Sequence, residues 1–280
     1  MIQATEPARP LFLSGCEGEL FAIFHPPDKI LSKGKGVVFV PPFAEEMNKS
    51  RHMFALQARQ FAKSGIAALI IDLYGTGDSQ GDFKDARWNI WKDDIRKAAD
   101  WLRNEGVRHL SLLGLRLGGL LALDVASALP ESLERIVLWQ PVSNGEIMLT
   151  QFLRLRLAAS MMDSSHEKES TKSLRDALAE GQVIEIAGYD LAPDLANAID
   201  ALKINLYATN HLPTLHWLEI VASKERALAP SSRHAIDTFK NNSSHIYTSS
   251  IVGEPFWSTP EITLLPDLLK VTTQTFLRPE

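Results

Sequence analysis

The chain lacks several features on which large classes of protein depend. Cys16 is its only cysteine, so an intrachain disulfide and a cluster of thiolate metal ligands are both excluded. No apolar run approaches the roughly 20 residues that a membrane-spanning helix needs. The net charge is −5 and no basic stripe interleaves with aromatic residues, so the sequence does not favour a nucleic acid as partner.

Targeting and metal patterns are equally scarce. Residues 1–13 contain no basic stretch followed by a long apolar core, so we expect no signal peptide and a cytoplasmic protein. His211 and His216 are separated by a proline, and no His-Glu-x-x-His or paired-carboxylate pattern occurs. The glycine-rich run at 75–79 lacks the following lysine of a phosphate-binding loop. We therefore expect neither a metal nor a cofactor.

A tight glycine turn is the most informative feature. Residues 109–121 (HLSLLGLRLGGLL) read as a short apolar strand, the turn Gly-Leu-Arg-Leu-Gly-Gly, and the start of a helix. Strand, glycine turn and helix in this order are typical of the nucleophile elbow of α/β-hydrolases, Gly-x-nucleophile-x-Gly. The middle position holds Arg116, whose guanidinium is a permanent cation without a usable lone pair. The pattern thus indicates the scaffold and excludes a conventional nucleophile.

Segments typical of strands and of helices alternate around this turn. Fully apolar runs predict strands buried on both faces of a parallel sheet, and a helical spacing of apolar residues predicts the helices between them. Besides the elbow strand and helix, the predicted strands are 9–14, 19–25, 37–40, 67–71, 135–139, 214–221 and 246–252, and the predicted helices are 50–64, 88–104, 231–239 and 266–276. This alternation predicts an α/β fold with a doubly wound, mostly parallel sheet.

The pattern changes after Pro141. Residues 146–162 and 174–180 predict helices, 163–172 is polar and loop-like, and 183–204 contains an extended piece and another helix. Because strands and helices do not alternate here, we interpret the segment as a helical lid inserted between two halves of one sheet. The predicted organisation is a first core part at 1–143, a lid at 144–212 and a second core part at 213–280.

Five segments together carry a family resemblance. They are 40–51 (VPPFAEEMNKSR), 73–83 (LYGTGDSQGDF), the GLRLGG elbow, 185–193 (EIAGYDLAP) and 253–257 (GEPFW). In these segments the sequence resembles the α/β-hydrolase-fold family called exosortase A system-associated hydrolase 2. The resemblance implies an α/β-hydrolase fold and an association with bacteria that make exopolysaccharide and sort proteins through an exosortase. Fold alone does not establish activity.

The parts needed for acyl transfer are only partly present. In this fold the general base is a histidine in the loop after the last strand, and residues 253–257 contain none. Glu225 lies near the usual place of the acid that orients the base. The backbone N–H groups of Phe43 and Leu117 occupy the two oxyanion positions. They would face the guanidinium of Arg116, which indicates an anion site more than an acyl-transfer site.

Arg116 is expected to need a negative partner. A cation under a lid is costly to bury alone, so we predict a carboxylate beside it, with Arg116 on a strained turn at the C-terminal edge of the sheet. Glu45 or Glu46 is preferred because their loop borders the elbow, followed by Glu254 and then Glu225. Full pairing would indicate a closed scaffold. Spare donors in an open cavity would indicate an anionic ligand.

Some of these residues also suit a purely structural role. Glu45 and Glu46 are typical of the solvated first turn of a helix, which Asn48 or Ser50 would cap. A solvated loop carboxylate is an equally good interpretation of Glu225. The remaining histidines are expected to be structural or exposed, including the one at 245, which begins the last strand.

Three functional hypotheses follow, and the sequence leaves open whether the protein is an enzyme. The first is a hydrolase or acyltransferase in which Glu45 or Glu46 activates water and Arg116 acts as electrophile. The second is a pseudo-hydrolase that binds an anionic acyl or carboxylate ligand. The third is a protein-interaction component of the polysaccharide or sorting machinery that uses the lid as its contact face. The oligomeric state and any protein partner stay open.

Overall fold

A computed structural model describes residues 6–128, 133–160, 169–209, 211–242 and 244–277. The strands in these ranges are β1 (Arg9–Ser14), β2 (Glu19–His25), β3 (Lys35–Val40), β4 (Ile66–Ile71), β5 (His109–Leu115), β6 (Leu133–Trp139), β7 (Ile184–Ile186), β8 (Tyr189–Leu191), β9 (Thr214–Val221) and β10 (Ile246–Val252). The helices are α1 (Glu45–Lys63), α2 (Trp88–Asn104), α3 (Leu117–Ser127), α4 (Gly145–Ser160), α5 (Thr171–Ala179), α6 (Pro193–Asp200), α7 (Pro230–Asn241) and α8 (Pro266–Leu277).

Eight strands form one sheet, in the order β1-β2-β4-β3-β5-β6-β9-β10. The pairs β1–β2 and β2–β4 are antiparallel, and every other neighbouring pair is parallel. In the middle of the sheet Val38 of β3 pairs with Leu69 on one side and Leu112 on the other. The predicted α/β fold with a mostly parallel sheet is therefore confirmed.

Each face of this sheet carries its own apolar core. One core joins alternate residues of β3 such as Val37 and Phe39 to α1 and α8, through Phe61 and Phe276. The other joins Val38 and its same-face neighbours to α2, α3 and α7. Side chains alternate between the faces of a strand, so a central strand that is covered on both sides must be apolar throughout. This explains the uninterrupted burial of the central strands.

The boundaries predicted from sequence agree closely with the structure except at α1. This helix was predicted at 50–64, but it begins at Glu45. The residue before it, Ala44, has a φ of 51° and supplies no side-chain cap. The predicted caps Asn48 and Ser50 lie inside the helix, and the Ser50 hydroxyl donates back to the Glu46 carbonyl at 2.6 Å. Acidic residues favour the positive end of a helix, which explains why the helix extends to Glu45.

The segment between β6 and β9 lies outside the eight-stranded sheet. It contains α4, α5, α6 and the antiparallel hairpin β7–β8, which the sequence had suggested only as an extended piece. Leu149, Phe152 and Leu153 of α4 join the core that also contains α2 and α3. Most of the loop predicted at 163–172 lies outside the described residues. The division into core and lid at 144–212 stays a prediction, and we call this segment the insertion.

Candidate functional site

The turn between β5 and α3 holds its central residue in a strained conformation. Arg116 has φ 55° and ψ −120°, a region that residues other than glycine rarely adopt. Its N–H donates to the Trp139 carbonyl at 3.0 Å, and its carbonyl accepts from the Gly119 N–H at 3.0 Å. These bonds to β6 and to the first turn of α3 fix the residue at the carboxyl end of the central strand β5.

The glycines beside Arg116 are required because the backbone segments pass so close together. A Cβ on Gly114 would lie 2.4 Å from the Gly118 carbonyl oxygen. A Cβ on Gly118 would lie 2.3 Å from the Val40 carbonyl oxygen. Contacts this short do not occur between real Cβ and oxygen atoms, so only glycine fits at either position. The tight packing brings the elbow against the end of β3 and against the loop that leads to α1.

Glu46 in the first turn of α1 is the carboxylate that meets Arg116. The Arg116 Nε–H donates to Glu46 Oε1 at 3.2 Å, and the two side chains are 18% and 24% exposed. Burial raises the pKa of the Glu46 carboxyl above its ordinary range, and the charge and hydrogen bond of Arg116 oppose that rise. The second oxygen, Oε2, is buried and has no hydrogen-bond partner among the described residues.

An aromatic ring covers the other side of the guanidinium. Trp257, in the loop after β10, lies with its ring centroid 5.3 Å from Arg116 Cζ, within the range of a cation–π interaction. This is the loop in which acyl-transfer enzymes of the fold place their histidine. Sequence reasoning missed the contact, although Trp257 closes the GEPFW segment. An aromatic residue in this loop, together with a cation at the elbow, was the available signal.

A cavity of about 270 Å³ opens beside this cluster. Its polar lining includes Glu45, Glu46, Lys49 and Arg116, and α4 contributes the apolar residues Met148, Phe152 and Leu155, with Phe43 and Trp257 completing the apolar part. The only side-chain hydrogen bond of Arg116 to a described residue is that from Nε to Glu46. The terminal nitrogens of its guanidinium therefore remain available as donors.

The sequence predicts the backbone N–H groups of Phe43 and Leu117 as oxyanion donors. Neither Phe43 nor Leu117 donates its N–H to another residue in the described part of the chain. Phe43 is itself almost fully buried, and its ring packs edge to face against Phe152 of α4 with 4.9 Å between centroids. The loop between β3 and α1 is thus held against the insertion.

The other predicted acidic residues do not reach Arg116. Glu45 is exposed, and its Oε2 accepts from Asn48 Nδ2 of the same helix at 3.1 Å and from the hydroxyl of Tyr189 in the insertion at 3.4 Å. Glu225 and Glu254 are exposed in loops after β9 and β10, and neither forms an ion pair with a described residue. The pKa of Glu225 is lowered by hydrogen bonds from its own backbone and from Ser223.

No histidine occurs among the described residues that line the cavity. His25 is buried at the end of β2, and burial together with Arg59 lowers its pKa. His245 precedes β10 and lines a different surface cavity. No group of three histidine, cysteine or carboxylate residues suited to a metal occurs among the described residues. No helix in the described ranges is long and apolar enough to cross a membrane.

The strand order, the elbow after β5 and the helices on both faces define an α/β-hydrolase-fold protein. A family model described as Serine aminopeptidase, S33 matches residues 33–182, and the chain belongs to that family. The match covers the elbow and the loop of Phe43. The family is named for a serine, and this chain has Arg116 at the elbow position where a nucleophilic serine stands.

Solved structures share the fold at low sequence identity. Est1E from Butyrivibrio proteoclasticus, solved with ferulic acid bound, has a TM-score of 0.69 at 14% identity over 95% of this chain and 97% of that one. XC6422 from Xanthomonas campestris, a serine hydrolase described as having no lid, has a TM-score of 0.58 at 14% identity over 99% of both chains. Proline iminopeptidase from Mycobacterium smegmatis has a TM-score of 0.60 at 12% identity over 96% of this chain and 98% of that one. No curated protein matches the chain.

Proposed function

We propose that this protein binds a small apolar carboxylate at Arg116 and does not hydrolyse it. The observation that carries the proposal is the guanidinium at the nucleophile position, which uses one donor on Glu46 and keeps its terminal nitrogens for the cavity. A planar guanidinium pairs with a carboxylate through two parallel hydrogen bonds. Phe43, whose N–H has no acceptor among the described residues, lines the same cavity, and Leu117 lines a small neighbouring pocket that Phe43 also borders.

The shape and lining of the cavity support the apolar part of this ligand. At about 270 Å³ it is close to the lower end of the range for small-molecule sites. Its cationic groups are Arg116 and Lys49, while α4 provides Met148, Phe152 and Leu155. A ligand with one charged end and a short aryl or alkyl body fits both parts.

Ferulate is a suitable probe because it is an aryl carboxylate and because ferulic acid is bound in the neighbour Est1E. Titration calorimetry should show that ferulate binds the wild type, and that Arg116→Met weakens binding at least tenfold. Arg59→Ala is the matched control, since it removes an exposed arginine of α1 outside the cavity lining. The proposal fails if Arg116→Met binds as the wild type does, or if ferulate, 3-phenylpropionate and octanoate all fail to bind.

A hydrolase with relocated machinery is the second candidate. The raised pKa of Glu46 is the observation in its favour, because a general base works best when its pKa approaches the working pH. Glu46 would deprotonate water and Arg116 would stabilise the developing oxyanion. Methyl ferulate tests this mechanism directly. If the wild type hydrolyses methyl ferulate and Glu46→Gln does not, the result would support the hydrolase and contradict a purely binding role.

We also propose that the protein works in bacteria with an exopolysaccharide and exosortase system. The five sequence segments given above support this association. Deletion of the gene in such a host should alter exopolysaccharide output or protein sorting, and the wild-type gene should restore it. If Arg116→Met restores it as well, the role lies in the insertion as a protein contact face, which is the remaining alternative.

A further inference from the structure

A second cavity lies beyond Trp257, on the far side of the residue that covers Arg116. It has a volume of about 620 Å³ and lies at the carboxyl ends of β9 and β10. We call it the β9–β10 cleft, and the side chains that matter for its chemistry are Gln140, Glu219, Arg226, Arg233 and Trp257. Trp257 lines both cavities, so the cleft and the Arg116 cavity share one wall.

The side-chain oxygens of this cleft are already used as acceptors. Glu219 is almost fully buried, its Oε1 accepts from the Ala229 N–H at 2.9 Å, and its Oε2 accepts from Trp217 Nε1 at 3.1 Å. The Gln140 Oε1 accepts from the Ile220 N–H at 2.6 Å. Each of these side-chain oxygens is therefore held by an N–H donor of the chain.

The free side-chain groups of the cleft are donors. Arg226 and Arg233 are exposed and form no ion pair or side-chain hydrogen bond with the described residues. The Gln140 amide nitrogen and the Trp257 indole N–H likewise have no acceptor in the described part of the chain. Gln140 also has a φ of 43°, and strain of this kind is concentrated at ligand sites.

We propose that the β9–β10 cleft binds a phosphate group, held by Arg226 and Arg233 with the Gln140 amide as a further donor. Guanidinium groups pair with phosphate oxygens through several directed hydrogen bonds. A tetrahedral dianion offers acceptors in more directions than a carboxylate. This suits donors that come from the end of β6 (Gln140), from the loop after β9 (Arg226) and from α7 (Arg233). The inference does not depend on the carboxylate at Arg116.

The test uses two probes, inorganic phosphate and phenyl phosphate, each titrated into the full chain by calorimetry. Phenol is the control for the apolar part of the ester. We expect saturable binding of a phosphate probe and at least tenfold weaker binding by the Arg226→Ala, Arg233→Ala double variant. Tighter binding of phenyl phosphate than of phosphate identifies a phosphate ester as the ligand, and equal affinities identify free phosphate.

Three further variants locate the site. Gln140→Glu keeps the oxygen for the Ile220 N–H and adds a negative charge, so it should weaken phosphate binding. Arg59→Ala and Arg116→Met should leave it unchanged. Thermal melting of each variant checks that it is folded. Substitution of an exposed arginine is not expected to change the melting temperature appreciably. The proposal is overturned if neither probe binds or if the double variant binds as the wild type does. It is also overturned if Arg59→Ala or Arg116→Met weakens phosphate binding as strongly as the double variant does.

Discussion

The indole ring of Trp257 lies over the guanidinium of Arg116, with 5.3 Å between the ring centroid and Cζ. Trp257 follows the last strand of the sheet and Arg116 follows its central strand, so the contact joins the two positions where this fold places base and nucleophile. At these two positions the chain has an aromatic ring and a cation. The pair stabilises positive charge at the elbow and provides no group that could attack an acyl carbon.

Conventional serine hydrolase chemistry should therefore be absent. We expect no stoichiometric labelling by a fluorophosphonate probe and no measurable turnover of p-nitrophenyl esters. Arg116→Ser should not restore activity, because none of the described residues that line the cavity is a histidine able to deprotonate the new hydroxyl. Mass spectrometry of the labelled protein is the measurement. Labelling at Ser258, which lines the cavity, would show that a displaced serine is reactive.

The Arg116–Glu46 pair should contribute measurably to stability. Glu46→Ala leaves a largely buried cation without its carboxylate, and we expect a loss of about 1–3 kcal/mol in the free energy of unfolding. Urea denaturation of Glu46→Ala, Arg116→Met and the double variant measures the coupling by a double-mutant cycle. We expect a coupling of about 1 kcal/mol, since both side chains keep some exposure. Additive effects would show that the two groups do not interact.

Removing the charge of Glu46 should strengthen carboxylate binding at Arg116. Glu46→Gln keeps an oxygen for the Arg116 Nε–H but removes the negative charge that competes with the ligand. We expect ferulate affinity at pH 7 to rise about threefold to tenfold, on the scale of one partly screened charge. In the wild type the pKa of Glu46 is raised by burial, so binding should strengthen as the pH falls toward that pKa. Glu46→Gln should lack this pH dependence. If ferulate affinity varied with pH in the same way in both proteins, the charge of Glu46 would not influence binding at Arg116.

Asp94 should make the protein less stable as the pH rises toward neutrality. It is fully buried on α2, and burial is the main cause that raises the pKa of its carboxyl from 3.8 to about 7, with Asp93 and Glu17 adding to the rise. The Tyr74 N–H donates to Oδ2 at 2.9 Å, while Oδ1 has no partner among the described residues. The folded state thus binds the proton more tightly than the unfolded state.

The protein should therefore lose stability as the pH rises from about 4 to 7, because in that window Asp94 stays protonated only in the folded state. The difference in pKa corresponds to at most about 4 kcal/mol. Asp94→Asn mimics the protonated acid and should be more stable than the wild type at pH 8, with a smaller difference at pH 4. Urea denaturation at both pH values measures it. A wild type that is more stable than Asp94→Asn at pH 8 would show that Asp94 is ionised without cost.

Much of the fold followed from the sequence because its causes are local. The apolar runs of β3 and β4 identify strands that are covered on both faces, and the glycines at 114 and 118 identify a turn where no Cβ fits. The start of α1 was predicted too late in the chain, because Ala44 adopts its positive φ without a glycine or a capping side chain to mark the boundary. The sequence also placed Arg116 at the elbow. The guanidinium has no usable lone pair, so Arg116 cannot act as a nucleophile there.

Only the tertiary structure decided how the site is assembled. Glu45 and Glu46 are neighbours in sequence, but they point about 100° apart around the helix axis. One therefore faces Arg116 and the other faces Tyr189 of the insertion. In the sheet, β6 and β9 lie between β5 and β10, so Trp257 meets Arg116 because the loop after β10 extends over the carboxyl ends of those strands. Contacts between residues so distant in the chain depend on the packing of all the elements between them, and no local pattern encodes that packing.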